Sequence, residues 1–497
     1  MAPSTSPVSS APASTPGEHA RSLLTLGLPL IGGHLAQFGI GATDTLMLGW
    51  YGVTDLAAGV LGHSYFFVFF IMGSGFAWAV MPMVAAESEG GPDGQGNVAQ
   101  IRRVTRMGLW LSLLFAVLCL PAMIFSEPLL LALGQPEEVA DRAAQYLQIM
   151  GWGVFPALSI MVLRSYLSAL ERTQVVLWTT LMGVVVNAAV NWLLIFGNLG
   201  FPEMGVRGAG VASVIVNIVM LLGLAAYATR TFPGHTLFAR IWRADWPAFG
   251  QVFRLGWPIG LTALAEAGLF SASAVLVGWL GAVPLAAHGI ALQIATATFM
   301  VHMGLSNAAT IRAGKALGRR DAPSLMRGAW VAVTMSFGFA LATVVVFLTL
   351  PEPLISLFLS DDEPARAQII ALGITLMAMA AAFQTMDGLQ VMLIGLLRGV
   401  QDTRAPMVIA AVSYWGVGMP ASYLLGFTFG LGAPGIWSGL VIGLGAAAAL
   451  LARRLWWTTF PRVEGHLRVA TARDVAAGGV PQSSDPRLGA SRAPARP

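Results

Sequence analysis

Asp44, Glu266 and Asp387 are carboxylates set inside long apolar runs, far in sequence from the charged loops that hold nearly all the other acids. An ionised carboxylate in hydrocarbon costs several kcal/mol, so such a group faces a cavity, finds a partner or carries a proton. Those properties suit a group that exchanges protons or sodium ions across a membrane. The plainer alternative is a structural hydrogen bond to a neighbouring helix. It accounts for one such acid more easily than for three spread along the whole chain.

Helical spacing gives each acid polar company. His34, Gln37, Gly41 and Asp44 share one face, with the ends of the strip about 15 Å apart at ~1.5 Å of rise per residue. Thr262, Glu266, Phe270 and Ser273 align in the same way, placing an aromatic near the second acid. Gln384, Asp387 and Gln390 recur at three-residue steps around the third. Asn187 and Asn191 lie four apart and so on one face, where two amides can share a proton or ligand network with Asp44. Taken alone, that pair is more often glue between helices, and His288 reads as a satisfied polar contact. The chain contains no Walker A loop, HExxH, GxSxG or paired-cysteine motif. The expectation is therefore no enzyme and no cofactor, with an ion gradient or a partner as energy source. The single cysteine, Cys119, excludes an internal disulfide.

The elements that carry these residues must be membrane helices. Of the 497 residues, 56% are apolar and only 10% charged, against about a quarter charged in soluble domains. Apolar runs of this length predict an all-α integral membrane protein rather than a transmembrane barrel. Twelve spans are predicted at 22–49, 55–86, 102–124, 139–168, 173–196, 206–229, 250–279, 285–314, 327–350, 366–397, 406–428 and 433–457. Residues 1–20 and 461–497 read as flexible tails, and 231–249 as a polar linker between two halves, 21–230 and 250–460. With alternate connections assigned to opposite sides, one side holds only Arg142, Arg207 and Arg366; the arginines and lysines otherwise fall on the side of both termini. The positive-inside rule makes that side cytoplasmic. Basic residues confined to membrane flanks give no reason to expect nucleic acid as a partner.

The two halves are copies. A shift of 229 residues lays Gly27 on Gly256, Pro29 on Pro258, Gly49-Trp50 on Gly278-Trp279 and Gly75 on Gly304. In that register Gln37 matches Glu266, and Asp44 matches Ser273. Each copy thus keeps its acid at a different rung of its first helix. The paired prolines predict a bend or local opening there.

Several of these stretches together resemble the multidrug and toxic compound extrusion (MATE) transporters, in their NorM-like branch. ATDTLMLG at 42–49 looks like the family's first-helix aspartate motif. Glu266 after GWPIG, and Asp387 within FQTMDGLQVMLIGLLRGVQDT, fall at its two later acids. VVVNAAVNWLLIFG, FPEMGVRGAGVAS and PLAAHGIALQ resemble its fifth, sixth and eighth helices. One departure is Gly289, where the family commonly has Gln after Ala-Ala-His. The resemblance implies two pseudo-symmetric six-helix lobes around a central cleft, in a monomer of the bacterial inner membrane in contact with its lipids. It implies export of cationic amphipathic drugs or dyes, coupled to H⁺ or Na⁺. Glu266 and Asp387 would form the cation site, the only place a metal ion (Na⁺) is expected. Asp44 with Asn187, Asn191 and Gln37 would form a proton or substrate network, and Phe270, Gln384 and His288 would line the substrate cleft. The rival is a lipid or lipid-linked precursor flippase of related architecture, for which arginines at mid-membrane would be expected. A non-transporting membrane enzyme or scaffold would need a nucleophile–base pair or metal cluster at membrane depth, which the sequence does not offer.

Overall fold

The structure, a computed structural model, describes residues 15–89, 96–360 and 363–465. Twelve helices are long and apolar enough to cross a membrane: α1 Pro16–Tyr51, α2 Val53–Glu89, α3 Val98–Ile124, α4 Glu137–Ala169, α5 Thr173–Leu194 and α6 Val206–Thr231 in one lobe. The second lobe has α7 Trp246–Gly278, α8 Ala282–Gly318, α9 Ala322–Thr349, α10 Arg366–Gly399, α11 Arg404–Thr428 and α12 Gly432–Gly465. No strand occurs among the described residues.

Helix ends follow local capping. Thr15 accepts from the Glu18 amide while the Glu18 carboxylate accepts from the Thr15 amide, a capping box that starts α1 at Pro16. The first helix therefore begins inside the stretch read as a tail, and residues 1–14 lie outside the described part. At the other end α12 runs to Gly465, past the predicted boundary at 460, with 466–497 also outside it. Asp245 and Asp321 cap α7 and α9 through the amides of Ala248 and Ser324. Both α1 and α7 continue through their prolines, Pro29 and Pro258.

The segment between the lobes is strapped to α3. Arg106 donates to the carbonyls of Leu237 (2.7 Å) and Thr236 (2.8 Å), and the Trp110 indole donates to Ile241 O at 2.7 Å. Arg103 pairs with Asp245, so one residue both caps α7 and holds the other lobe.

Glycines bring the lobes together in the half of the bundle that carries both termini. A Cβ on Gly75 of α2 would lie 2.3 Å from Gly260 N and 2.5 Å from Gly256 O on α7. Its repeat partner Gly304 on α8 packs on Ile31 of α1, and Gly318 on the Ala86 carbonyl of α2. In the opposite half, Gly39 and Gly41 on α1 and Gly281 and Gly289 at the start of the second lobe's α8 region meet no atom within 4 Å. The cleft between the lobes is thus sealed at the end bearing the termini.

Candidate functional site

In the first lobe, α1 presents Asp44 to the flank of α5. Asn187 and Asn191 donate through Nδ2 to Asp44 Oδ1 at 2.9 and 2.6 Å, and Ser213 Oγ of α6 reaches Oδ2 at 3.4 Å. Both amides are fully buried, and Asn191 Nδ2 also contacts Asn187 Oδ1 at 3.3 Å. The four-residue spacing of the asparagines is what lets one acid take both. Beside the carboxylate lies a cavity of about 120 Å³ lined in part by Thr45, His63, Ser64 and Tyr146. Tyr146 fits because Gly62 and Gly210 leave room for its ring.

Gln37 does not join this group. Its Oε1 accepts from Arg164 Nη1 of α4 at 3.2 Å. Seven residues separate Gln37 from Asp44, about 10 Å of helix at ~1.5 Å per residue, enough to hand it to a different neighbour. Arg164 lies five residues inside the end of α4, yet its guanidinium meets α1 beyond the helix's midpoint. The expectation that basic residues stay at membrane flanks fails here. Arg398, in the last turn of α10, has its guanidinium 5.5 Å from the Trp78 ring centre across the lobe boundary. His34 accepts from Asn307 Nδ2 of α8 at 3.0 Å, a further contact between lobes.

In the second lobe, Gln390 of α10 donates through Nε2 to Glu266 Oε1 of α7 at 2.9 Å. Gln390 Oε1 accepts in turn from the Tyr414 hydroxyl of α11. Asp387 stands one helical turn from Gln390, 2% exposed, with Oδ1 making no hydrogen bond. Gln384 sits a turn further, fully buried, and neither of its amide atoms has a partner. Buried polar groups left in this state are rare, and they mark a site that takes a ligand, ion or water. The donor set is carboxylate, amide and phenol oxygen, the chemistry of a hard cation or a proton rather than of a soft metal. Among the described residues no group of three or more His, Cys, Asp or Glu gathers for a metal.

The residues expected in a substrate cleft divide. Phe270 packs edge-on against Phe383 at 5.8 Å, and Phe383 against Trp437 at 5.4 Å. Trp437 donates to His288 Nδ1 at 3.0 Å, and His288 is 1% exposed. His288 and Gln384 are therefore packed between helices in this conformation, and only Phe270 is partly open. Tyr414 was not legible from the sequence. It reaches Gln390 from a run of α11, Val412–Gly418, wound as a π-helix, a local widening frequent at functional sites.

Two like lobes around a cleft sealed at one end, each with a buried carboxylate cluster, define a membrane transporter of the repeat type. The chain belongs to the MatE family, which it matches over residues 29–193 and 258–424. The two matched regions start 229 residues apart (258 minus 29), the register of the internal repeat. It is 45% identical over 435 residues to a probable multidrug resistance protein NorM of Rhizobium meliloti, covering 87% of this chain and 92% of that one. A protein of the same description from Synechocystis is 36% identical over 434 residues, covering 86% and 92%. Among solved structures it resembles the eukaryotic MATE transporter AtDTX14, with TM-score 0.77 at 17% identity over 92% of this chain and 99% of that one. A multidrug resistance MATE family transporter of the MOP superfamily, solved in an outward-facing conformation, gives TM-score 0.77 at 19% identity, covering 93% and 99%.

Proposed function

We propose that the protein is a cation-coupled multidrug efflux antiporter that exports cationic amphipathic compounds by alternating access, with H⁺ or Na⁺ as coupling ion. The observation that carries this reading is the pair of acid clusters, Asp44 held by the buried Asn187 and Asn191, and Glu266 with the buried Asp387, one in each lobe of a cleft sealed at the termini end. The names of the NorM relatives and the outward-facing neighbour support it. Both termini, and hence the sealed end, are assigned to the cytoplasm of a bacterial inner membrane, and the working unit is a monomer.

Each cluster can register an ion chemically. Asp44 Oδ1 is occupied by two amide donors, the arrangement an anionic oxygen needs. A proton on Oδ2 meets the Ser213 hydroxyl, whereas one on Oδ1 competes with those N–H groups and displaces an amide or turns it to present its carbonyl. Asn191 Oδ1, which has no partner, is available for that role. At Glu266 and Asp387 the free oxygens of Asp387 and Gln384 face the same choice between a sodium ion, a proton and a cationic drug. An ion shifts the conformational equilibrium only through its different affinity for the two states. Competition for these oxygens couples its entry to drug release.

The flippase reading keeps one observation in its favour, the Arg164 guanidinium at the middle of α1. A single arginine bonded to a neutral amide is a weak pyrophosphate site compared with the carboxylate clusters. The test is dye efflux from proteoliposomes under an imposed proton or sodium gradient, for the native protein and for Asp44→Asn, Glu266→Gln and Asp387→Asn. Efflux driven by one gradient and abolished by neutralisation sustains the antiporter and names its ion. Folded protein that moves no dye under either gradient ends the drug-export reading, and fluorescent-lipid scrambling becomes the assay.

A further inference from the structure

A second cavity, of about 60 Å³, lies at the termini end of the bundle and uses none of the site residues above. Its walls come from both lobes: His19 and Leu23 of α1 and Glu171 after α4 on one side, Arg312 and Lys315 of α8, Arg319 just after it and Ser324 of α9 on the other. The charges there do not cancel. Lys315 pairs with Glu89 at 3.1 Å and Glu171 at 2.7 Å, and Arg319 reaches Glu89 at 3.8 Å, so these two acids are already paired. Arg312 forms no ion pair among the described residues. Among the described residues its hydrogen bond is from Nη2 to His19 Nδ1 at 2.6 Å. A guanidinium carries five N–H donors in a planar fork that matches carboxylate and phosphate oxygens, and here that fork borders the cavity. A Cβ on Gly328 of α9 would lie 3.4 Å from His19 Nδ1, so the glycine leaves the space into which the imidazole fits.

We propose that this cavity is a binding site for a phosphate-type oxyanion, held by Arg312 and bridging the two lobes. Its depth argues for the source. His19 is in the first turn of α1, Ser324 in the first turn of α9 and Arg319 just past the end of α8, so the cavity sits at the level of lipid headgroups. Basic pockets between helices at this level suit anionic phospholipid. A free phosphate offers the same oxygens. Because the walls belong to different lobes, a bound anion strengthens the sealed arrangement of this end. The proposal does not rest on the export reading.

The test uses full-length protein in lipid nanodiscs, with thermal unfolding as readout. Phosphatidylcholine discs with added inorganic phosphate, matched in ionic strength with chloride, probe the free anion; discs containing phosphatidylglycerol, without phosphate, probe the headgroup. One or both raise the melting temperature by a few degrees and saturably. The rise disappears in Arg312→Gln and is partly kept in Arg312→Lys, which preserves the charge without the fork. A rise confined to phosphatidylglycerol discs assigns the lipid, and one confined to phosphate assigns the free ion. No rise in either, or an equal rise in Arg312→Gln, overturns the proposal. Should Arg312→Gln not fold, the native protein is photolabelled with a diazirine phosphatidylglycerol in competition with phosphate. Labels on α1 and α9 peptides around His19 and Leu325 uphold the site, and their suppression by phosphate shows that the free ion shares it; labels elsewhere only refute it.

Discussion

Gly75→Ala adds one methyl group where two helices already touch backbone to backbone. The new Cβ would stand 2.3 Å from Gly260 N and 2.5 Å from both Gly256 O and Gly260 Cα. Carbon in ordinary contact sits about 3.5 Å from its neighbours, so α2 and α7 must part by roughly 1 Å. No side-chain rotation relieves the clash, because every atom it meets belongs to the backbone. Overpacking of this kind costs about 1–3 kcal/mol. That cost falls on the conformation in which the termini halves of the lobes meet, and not on one in which they have separated. The population ratio should therefore move about 5- to 150-fold toward separation, which is what ~1–3 kcal/mol amounts to.

Pulsed electron spin resonance reads this directly. Nitroxides at Ala99 on α3 and Met326 on α9, both exposed at the termini end, report the distance between lobes once the single Cys119 is replaced by Ser. Gly75→Ala should transfer population to longer distances. Gly304→Ala, whose Cβ would lie 2.4 Å from Ile31 Cγ1 and 2.7 Å from Ile31 N, should do the same from the other side of the pseudo-dyad. Gly41→Ala, with nothing within 4 Å, should not. If Gly75→Ala gives the parent's distance distribution and melting temperature, the contact does not hold the lobes together and the reasoning fails.

Three further outcomes follow from named contacts. Tyr414→Phe removes the hydroxyl that Gln390 accepts while it holds Glu266; losing a buried hydrogen bond costs about 1–2 kcal/mol, so dye efflux should fall about tenfold with the fold retained, and unchanged efflux would remove Tyr414 from the site. The Arg103 guanidinium bonded to Asp245 holds that carboxyl below its ordinary range; the stabilisation is complete above about pH 4, the range of an unfolded Asp, and is lost as pH falls through the lower folded value. Pepsin should thus cut the 231–245 strap faster as pH drops below about 4, and Asp245→Asn should abolish that pH step. Gly289→Gln adds a helix-favouring residue where a Cβ meets nothing within 4 Å, so it should stabilise by about 0.5 kcal/mol; a lower melting temperature would show that something does pack there.

The spans were legible because the bilayer demands about twenty apolar residues per crossing, and no competing architecture uses such runs. Their ends were not, since capping decides them. The box of Thr15 and Glu18 is written in the sequence, but the Pro/Ser-rich composition around it pointed to a tail. The Asp44 cluster was legible because two asparagines four apart can face only one way, and the acid had to find donors. Gln37 was misplaced for the converse reason. Sharing a helix face with Asp44 says nothing about which neighbour meets each rung, and Arg164 of α4 took that one. Tyr414 gave no signal because its reach depends on a π-helical turn, which no spacing rule anticipates.

The repeat duplicates the scaffold and divides the chemistry. Where the second lobe has Glu266, the first has Gln37, whose oxygen is spent on Arg164. Where the first lobe has Asp44, the second has Ser273, whose hydroxyl donates to its own helix at Phe270 O, 2.8 Å away. Each acid's counterpart is thus a neutral group already satisfied within its lobe and free of any ion's demand. The sealing contacts, by contrast, come in symmetric pairs: Gly75 against α7 and Gly304 against α1. A symmetric hinge lets the lobes rock as equivalent bodies, while acids at different rungs, Asp44 farther from the sealed end than Glu266, meet the cleft at different depths. Under the coupling proposed above, ions entering from the open end would meet the two sites at different depths, an order two identical sites could not impose.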